Sequence, residues 1–300
     1  MNKVLVVLGV VAALVPGWPP ALSLVLGVAL GLTLGNPWPK HTPRWVKQGL
    51  GACVVGLGFG VDLGVVARVG LEGVGITLAG IAITLAVGSV LGRMLGVDRV
   101  LVLLVSVGTA ICGGSAIAAA APVLKAKDED VGVAIGTVFL LNGAALVIFP
   151  PIGHALGLDA ATFGRWAALA IHDTSSVVGA ASAYGGDALA IATTTKLARA
   201  LWIAPLTLFL AWREGGGGKA TLPWFIPGFL AAAALMWAVP ALVGPGHIVA
   251  SVAKQALGGI LFLTGLGVSR AALARVGVRP LALGVLLWAF VSVVGLLVVR

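Results

Sequence analysis

Residues 171–185 read Ile-His-Asp-Thr-Ser-Ser-Val-Val-Gly-Ala-Ala-Ser-Ala-Tyr-Gly, a run of polar side chains set inside sequence that is otherwise apolar. An ionisable side chain in the middle of a bilayer costs at least about 2.5–3.5 kcal/mol on insertion scales, so it turns toward a site or a water-filled path. A second interruption lies upstream, Thr109-Ala-Ile-Cys-Gly-Gly-Ser115. Paired interruptions of this kind point to a transporter whose site is built from discontinuous helices. The chain is 60% hydrophobic and 10% charged, with mean hydropathy +1.12. Soluble domains carry about 25% charged residues. The expected fold class is therefore an all-α polytopic membrane protein, and the many glycines suit close helix packing in lipid.

A net charge of +9 raises the question of nucleic acid. The basic residues sit mostly in loops, as the positive-inside rule requires, so no nucleic-acid partner is expected. Cys53 and Cys112 lie in apolar segments, and their spacing suggests neither a disulfide nor a metal site. The N-terminus resembles a signal peptide but lacks a small-x-small cleavage site after its apolar run. It reads as a first helix or anchor.

A spanning helix needs about 20 apolar residues. The candidate segments are 3–16, 21–35, 44–64, 71–94, 98–124, 131–155, 159–185, 188–212, 222–241, 250–268 and 280–299. That is about 9–11 crossings in a single transporter domain covering 1–300, with pseudo-repeats over roughly 21–155 and 159–300. Residues 47–70 and 254–277 match at an offset of 207 without gaps, with 11 of 24 positions identical. A weaker match sets 111–121 against 171–181, which makes the two breaks equivalent. If both broken segments cross fully, the outer repeat is inverted but the two breaks run parallel. If each is a re-entrant hairpin, both repeats are inverted. Hairpins also put Lys125 and Lys127 on the same side as Lys3, Lys40, Arg44, Lys47, Arg93 and Arg99. The sequence leans to hairpins or half-crossing broken helices meeting mid-membrane.

The residues that could carry chemistry cluster at the breaks. Gly113-Gly114-Ser115 precedes an Ala-rich half-helix, and an unwound backbone there offers N–H groups to an anion. A small-residue packing kink explains the same residues equally well. His172-Asp173-Thr174-Ser175-Ser176 precedes a second half-helix. Asp173 could cap it. The three hydroxyls could serve an oxyanion or Na⁺, and His172 could titrate near neutral pH. Lys196 and Arg199 share one helical face within an apolar segment. Either they snorkel to an interface or they turn inward, where Arg grips an oxyanion with two hydrogen bonds better than Lys does. Asn142 could coordinate a cation or simply bond between helices. Lys47, Gln48, Lys254 and Gln255 read as snorkelling residues at helix starts.

The string Ile111-Cys-Gly-Gly-Ser-Ala-Ile-Ala-Ala…Pro122, with Asn142, Phe149-Pro, Phe163-Gly-x-Trp166, Ala170-Ile-His-Asp-Thr-Ser-Ser-Val-Val-Gly-Ala-Ala and Lys196-Leu-x-Arg199, resembles the YeiH-type family of bacterial inner-membrane proteins described as sulfate exporters. That family is grouped with the bile acid/sodium symporter-like superfamily. The resemblance implies about ten helices, inverted repeats and two broken helices meeting mid-membrane. The expected function is secondary transport of a small anion such as sulfate, sulfite or an organosulfonate, coupled to H⁺ or Na⁺. Gly113, Gly114, Ser115, Thr174, Ser175, Ser176, Lys196 and Arg199 would bind substrate; His172, Asp173 and Asn142 would couple the ion. An organic-anion uptake symporter and an uncoupled anion channel are the rival readings. No catalytic residues, metal site or cofactor are expected, and a homodimer is among the possible assemblies.

Overall fold

The computed structural model describes residues 2–15, 20–61, 63–213, 224–267 and 276–300. Among them the regular elements are all helical. In chain order they are α1 (Asn2–Ala13), α2 (Pro20–Thr33), α3 (Thr42–Gly58), α4 (Leu63–Leu95), α5 (Arg99–Ala110), α6 (Gly114–Ala120), α7 (Asp128–Ala155), α8 (Ala160–Ala170), α9 (Thr174–Tyr184), α10 (Ala188–Ala200), α11 (Ile203–Arg213), α12 (Phe225–Ala238), α13 (Val243–Leu266) and α14 (Val278–Val299). The stretches Gly73–Leu95, Glu129–Ala155, Pro240–Leu266 and Val278–Val299 are long and apolar enough to cross a membrane. The protein is an all-α polytopic membrane protein. It divides into two compact units: Met1–Arg68 with Trp224–Ala271, and Val69–Pro223 with Ala272–Arg300.

In the first unit α3 and α13 run antiparallel. Gly49, Gly56 and Gly60 face Ile260, Ala253 and Ala250, so residue numbers rise on one strand of contacts as they fall on the other. The 207-residue offset maps this register onto itself. Gly58 lies against the Phe229 carbonyl of α12, and its equivalent Gly265 lies against the Leu24 carbonyl of α2. Small residues permit these approaches, which in lipid replace the hydrophobic drive with close packing. The ends of the matched segments, residues 268–275, fall outside the described residues.

Two sequence expectations change here. α13 starts at Val243, not near 250, so Lys254 and Gln255 sit mid-helix. Gln255 is not snorkelling: its amide donates to the carbonyls of Leu14 (2.9 Å) and Val15 (2.7 Å), just beyond the end of α1. Val6 and Ala13 of α1 share a core with Phe262 and Leu266.

In the second unit α4 packs antiparallel to α5, with Gly88 facing Ser106 and Gly92 facing Val102. It also packs antiparallel to α14, with Gly88 near Leu287 and Gly96 near Arg279. The inner repeat is visible where α4 passes to α5 and α7 to α8. α4 ends on Gly96 at φ +63°, with Val97 N–H donating to Gly92; α7 ends on Gly157 at φ +64°, with Leu158 N–H donating to Gly153. Both are left-handed glycine caps of the Schellman type. Asp98 then accepts from the Val100 N–H (2.8 Å), and Asp159 from the Thr162 N–H (2.8 Å), as N-caps of α5 and α8.

Both broken segments fold back as hairpins. Gly108 of α5 faces Ile117 of α6, which a continuous helix nine residues long would hold well over 10 Å apart at about 1.5 Å per residue. Tyr184, the last residue of α9, stacks on Phe163 near the start of α8, ring centroids 3.7 Å apart, and its hydroxyl donates to the Leu158 carbonyl. Gly164 lies against Ala188 and Ala192, and the Ala168 carbonyl meets Lys196 and Arg199, so α10 runs parallel to α8 and α9 is the return arm between them. The expected segment 188–212 is also interrupted, between α10 and α11. The Pro205 ring would clash with the carbonyl four residues back, at Leu201, where α10 has just ended.

Candidate functional site

The tips of the two hairpins are Ile111-Cys112-Gly113 and Ile171-His172-Asp173, and they touch. A methyl group on Gly113 would stand 3.3 Å from Cβ of Asp173 and 3.4 Å from its backbone nitrogen. Gly113 sits at φ +63°, ψ −127°, a sparsely populated conformation that costs other residues about 1–3 kcal/mol. A residue without a side chain is therefore needed here for backbone shape as well as for room.

A broken helix exposes the carbonyls of its last turn, and in hydrocarbon each unsatisfied group costs several kcal/mol. Two cations from α10 meet that need. Because α10 runs parallel to α8, its last turns lie beside residues 168–171. Lys196 Nζ donates to the carbonyls of Ile171 (2.7 Å) and Ala168 (3.3 Å). One guanidinium nitrogen of Arg199 donates to Ala168 (3.0 Å) and Leu169 (2.7 Å), and the other to the Ala110 carbonyl at the end of α5. Arg199 thus ties the C-terminal ends of both first arms together. Positive charge at a helix C-terminus is also favoured by the helix dipole. Lys196 is 0% exposed and Arg199 3%. Their hydrogen-bond partners are backbone carbonyls, not carboxylates.

On the second tip, Asp173 is the N-cap of α9. It accepts from the Ser176 N–H (2.8 Å) and the Ser175 hydroxyl (2.5 Å). Thr174, Ser175 and Ser176 are buried. The His172 backbone N–H donates to Asn142 Oδ1 (3.1 Å) on α7. His172 is 1% exposed, and neither ring nitrogen has a partner among the described residues; nor do Asn142 Nδ2, Arg199 Nε, or the hydroxyls of Thr194 and Thr195. Buried polar groups are normally satisfied. A set of orphans beside two buried cations marks a place made for something polar.

Of the expected residues, Gly113, Asn142, His172, Asp173, Ser175, Ser176, Lys196 and Arg199 are linked by contacts or hydrogen bonds around the tips. Thr174 is buried on the same turn. Gly114 is half-buried, while Ser115 is exposed and makes no hydrogen bond to the others. Thr194 and Thr195 belong with the orphaned groups; in sequence they are visible only as neighbours of Lys196. The carbonyls of Ala110, Ala168, Leu169 and Ile171 have no sequence signal at all. Among the described residues no group of His, Cys, Asp and Glu is placed to hold a metal.

A family model described as conserved hypothetical protein 698 matches residues 4–284. A UPF0324 membrane protein of Bdellovibrio bacteriovorus is 53% identical over 91% of this chain and 86% of its own length. One from Geobacter sulfurreducens is 52% identical over 93% of this chain and 90% of its own. A third, from Vibrio parahaemolyticus, is 45% identical over 96% and 95% respectively. No solved structure matches the chain.

Proposed function

We propose that this chain, which belongs to the conserved hypothetical protein 698 family of UPF0324 membrane proteins, is a secondary transporter exporting a small anion across the bacterial inner membrane. The observation that carries the reading is the pair of touching hairpin tips with two buried cations and no carboxylate bonded to either. Lys196 and Arg199 bring two positive charges and Asp173 one negative, which favours an anion at the tips. The unpartnered amide donor of Asn142 is available to it. Sulfate, sulfite and organosulfonates are the substrate class. Gly113, Gly114 and Ser115 with Thr174, Ser175 and Ser176 supply backbone and hydroxyl contacts. His172, Asp173 and Asn142 couple transport to H⁺ or Na⁺, since protonation or ligation of Asp173 would release Ser175 and Ser176. On this reading the chain is a carrier and not an enzyme.

The first test is thermal stability of the purified protein against a panel of anions, with and without Na⁺ and across pH. Transport in proteoliposomes under an imposed pH or Na⁺ gradient follows. Saturable flux that tracks the gradient supports a coupled carrier. Flux without saturation or coupling would replace it with the channel reading. Gradient-driven inward flux only would favour the uptake symporter.

A further inference from the structure

Arg199 has a second exposure, away from the carbonyls it ties. It lines a cleft of about 360 Å³ between α4 and α14. That volume is toward the lower end of small-molecule sites, roughly 300–1,000 Å³. Ile76, Ala79 and Ile83 form one wall, and Phe290 and Val294 the other. Thr84 also lines it, but its hydroxyl is engaged with the Gly80 carbonyl at 2.6 Å. Arg199 is therefore the one charged group among the described residues of an apolar slot. It is 3% exposed, and its Nε–H has no hydrogen-bond partner. A buried donor without a partner is costly, and a bound acceptor removes the cost.

The surroundings of the slot indicate where an occupant comes from. Of the four stretches long enough to span a membrane, those of α4 and α14 are the least buried, 22% and 28% against 39% for each of the others. Ile76 and Ile83 are exposed at the mouth. In a bilayer these side chains meet acyl chains. We propose that the cleft binds one single-chain amphiphilic anion drawn from the bilayer, its alkyl chain between α4 and α14 and its carboxylate or sulfonate head on Arg199. The space admits one chain and not a two-chain phospholipid. A cationic head would be repelled by the guanidinium, and a neutral alcohol would pair it without charge. The bound head would sit on the same residue that ties the ends of α5 and α8. The inference stands apart from the transport reading, because it concerns binding with no gradient and no transported anion.

The test is equilibrium binding of radiolabelled dodecanoate to the protein in phosphatidylcholine nanodiscs, with empty nanodiscs subtracted. Dodecanoate should bind saturably at one per chain. It should bind about ten-fold or more tighter than dodecanol, the worth of one charge-assisted hydrogen bond. Dodecyltrimethylammonium should fail to displace it. Ala79→Phe fills the slot without touching Arg199 and should abolish binding. Val294→Phe does the same from the opposite wall if Ala79→Phe fails to fold. Equal binding of dodecanoate and dodecanol, or unchanged binding in a folded slot-filling variant, would overturn the proposal.

Discussion

The two hairpin tips occupy equivalent places and are built differently. Both follow a capped helix of similar length, α5 or α8, and both end in a residue of left-handed φ, Lys125 at +50° and Gly185 at +95°. On the first tip the residue that starts the return arm is Gly113, with no side chain to cap α6. On the second it is Asp173, in extended conformation, capping α9 through Ser176. The first tip gives room and the second gives chemistry. A duplicated scaffold fixes where two loops meet, and it leaves each free to specialise. The cations that hold the tips come from the second repeat alone, and Arg199 reaches across to serve the first.

That asymmetry can be broken most severely at Arg199. Arg199→Gln leaves the carbonyls of Ala110, Ala168 and Leu169 without a charged donor, and stability should fall by roughly 1–3 kcal/mol for each buried acceptor left unmet. Arg199→Lys keeps the charge but loses the planar fork that reaches both arms, so it should recover only part of the loss and should bind anion poorly. A melting temperature close to wild type in Arg199→Gln would show that the arms hold together without it. Next comes Gly113→Ala. It adds backbone strain of about 1–3 kcal/mol, together with crowding against Val138 and Asp173 at 3.1–3.3 Å. Gly185→Ala, at the far end of the second hairpin, meets no atom within 4 Å. It should therefore cost backbone strain without crowding, and a smaller fall in melting temperature than Gly113→Ala is expected.

Asp173→Asn sharpens the comparison functionally. Asparagine keeps the cap, so stability should shift by less than about 1 kcal/mol. It cannot ionise, so anion exchange should persist while dependence on the pH or Na⁺ gradient is lost. Persistence of gradient-driven flux at the wild-type rate would remove Asp173 from coupling. The smallest effect is expected at Asp159. The Thr162 N–H and hydroxyl hold its carboxyl below the usual carboxylate range. A lowered folded-state pKa stabilises above the unfolded value, about 3.9, and the gain fades as pH falls through the folded one. Asp159→Ala should therefore lower the melting temperature slightly at pH 7 and not at all once the wild-type carboxyl is protonated.

Much of this was legible in residue order. The polar strings at 109–115 and 171–176 announced both tips, and the 207-residue match announced the antiparallel pairing of α3 with α13. The repeated Leu-Gly-x-Asp at 95–98 and 156–159 was a further signal of the inner repeat, because glycine cap and aspartate cap are written side by side. The work of Lys196 and Arg199 was not legible. Their partners are main-chain oxygens, which every residue carries, so no side chain betrays them. Gln255 escaped for the same reason: it bonds the carbonyls of Leu14 and Val15. Hairpin return was legible only indirectly, in the inversion of both repeats and in the loop charges, because the contact that closes the second hairpin, Tyr184 on Phe163, joins residues far apart in sequence.

The self-mapping contacts of α3 and α13 carry one more consequence. A duplicated pair with fully matched surroundings would have the same energy viewed from either face of the bilayer. Here the surroundings are unmatched. Gly258 is packed by the Ala13 carbonyl from the extra helix α1, whereas its counterpart Gly51 is packed by the indole of Trp224. The two ends of the pair are not interchangeable, so the degeneracy is lifted and the molecule has a built-in polarity before any ion binds.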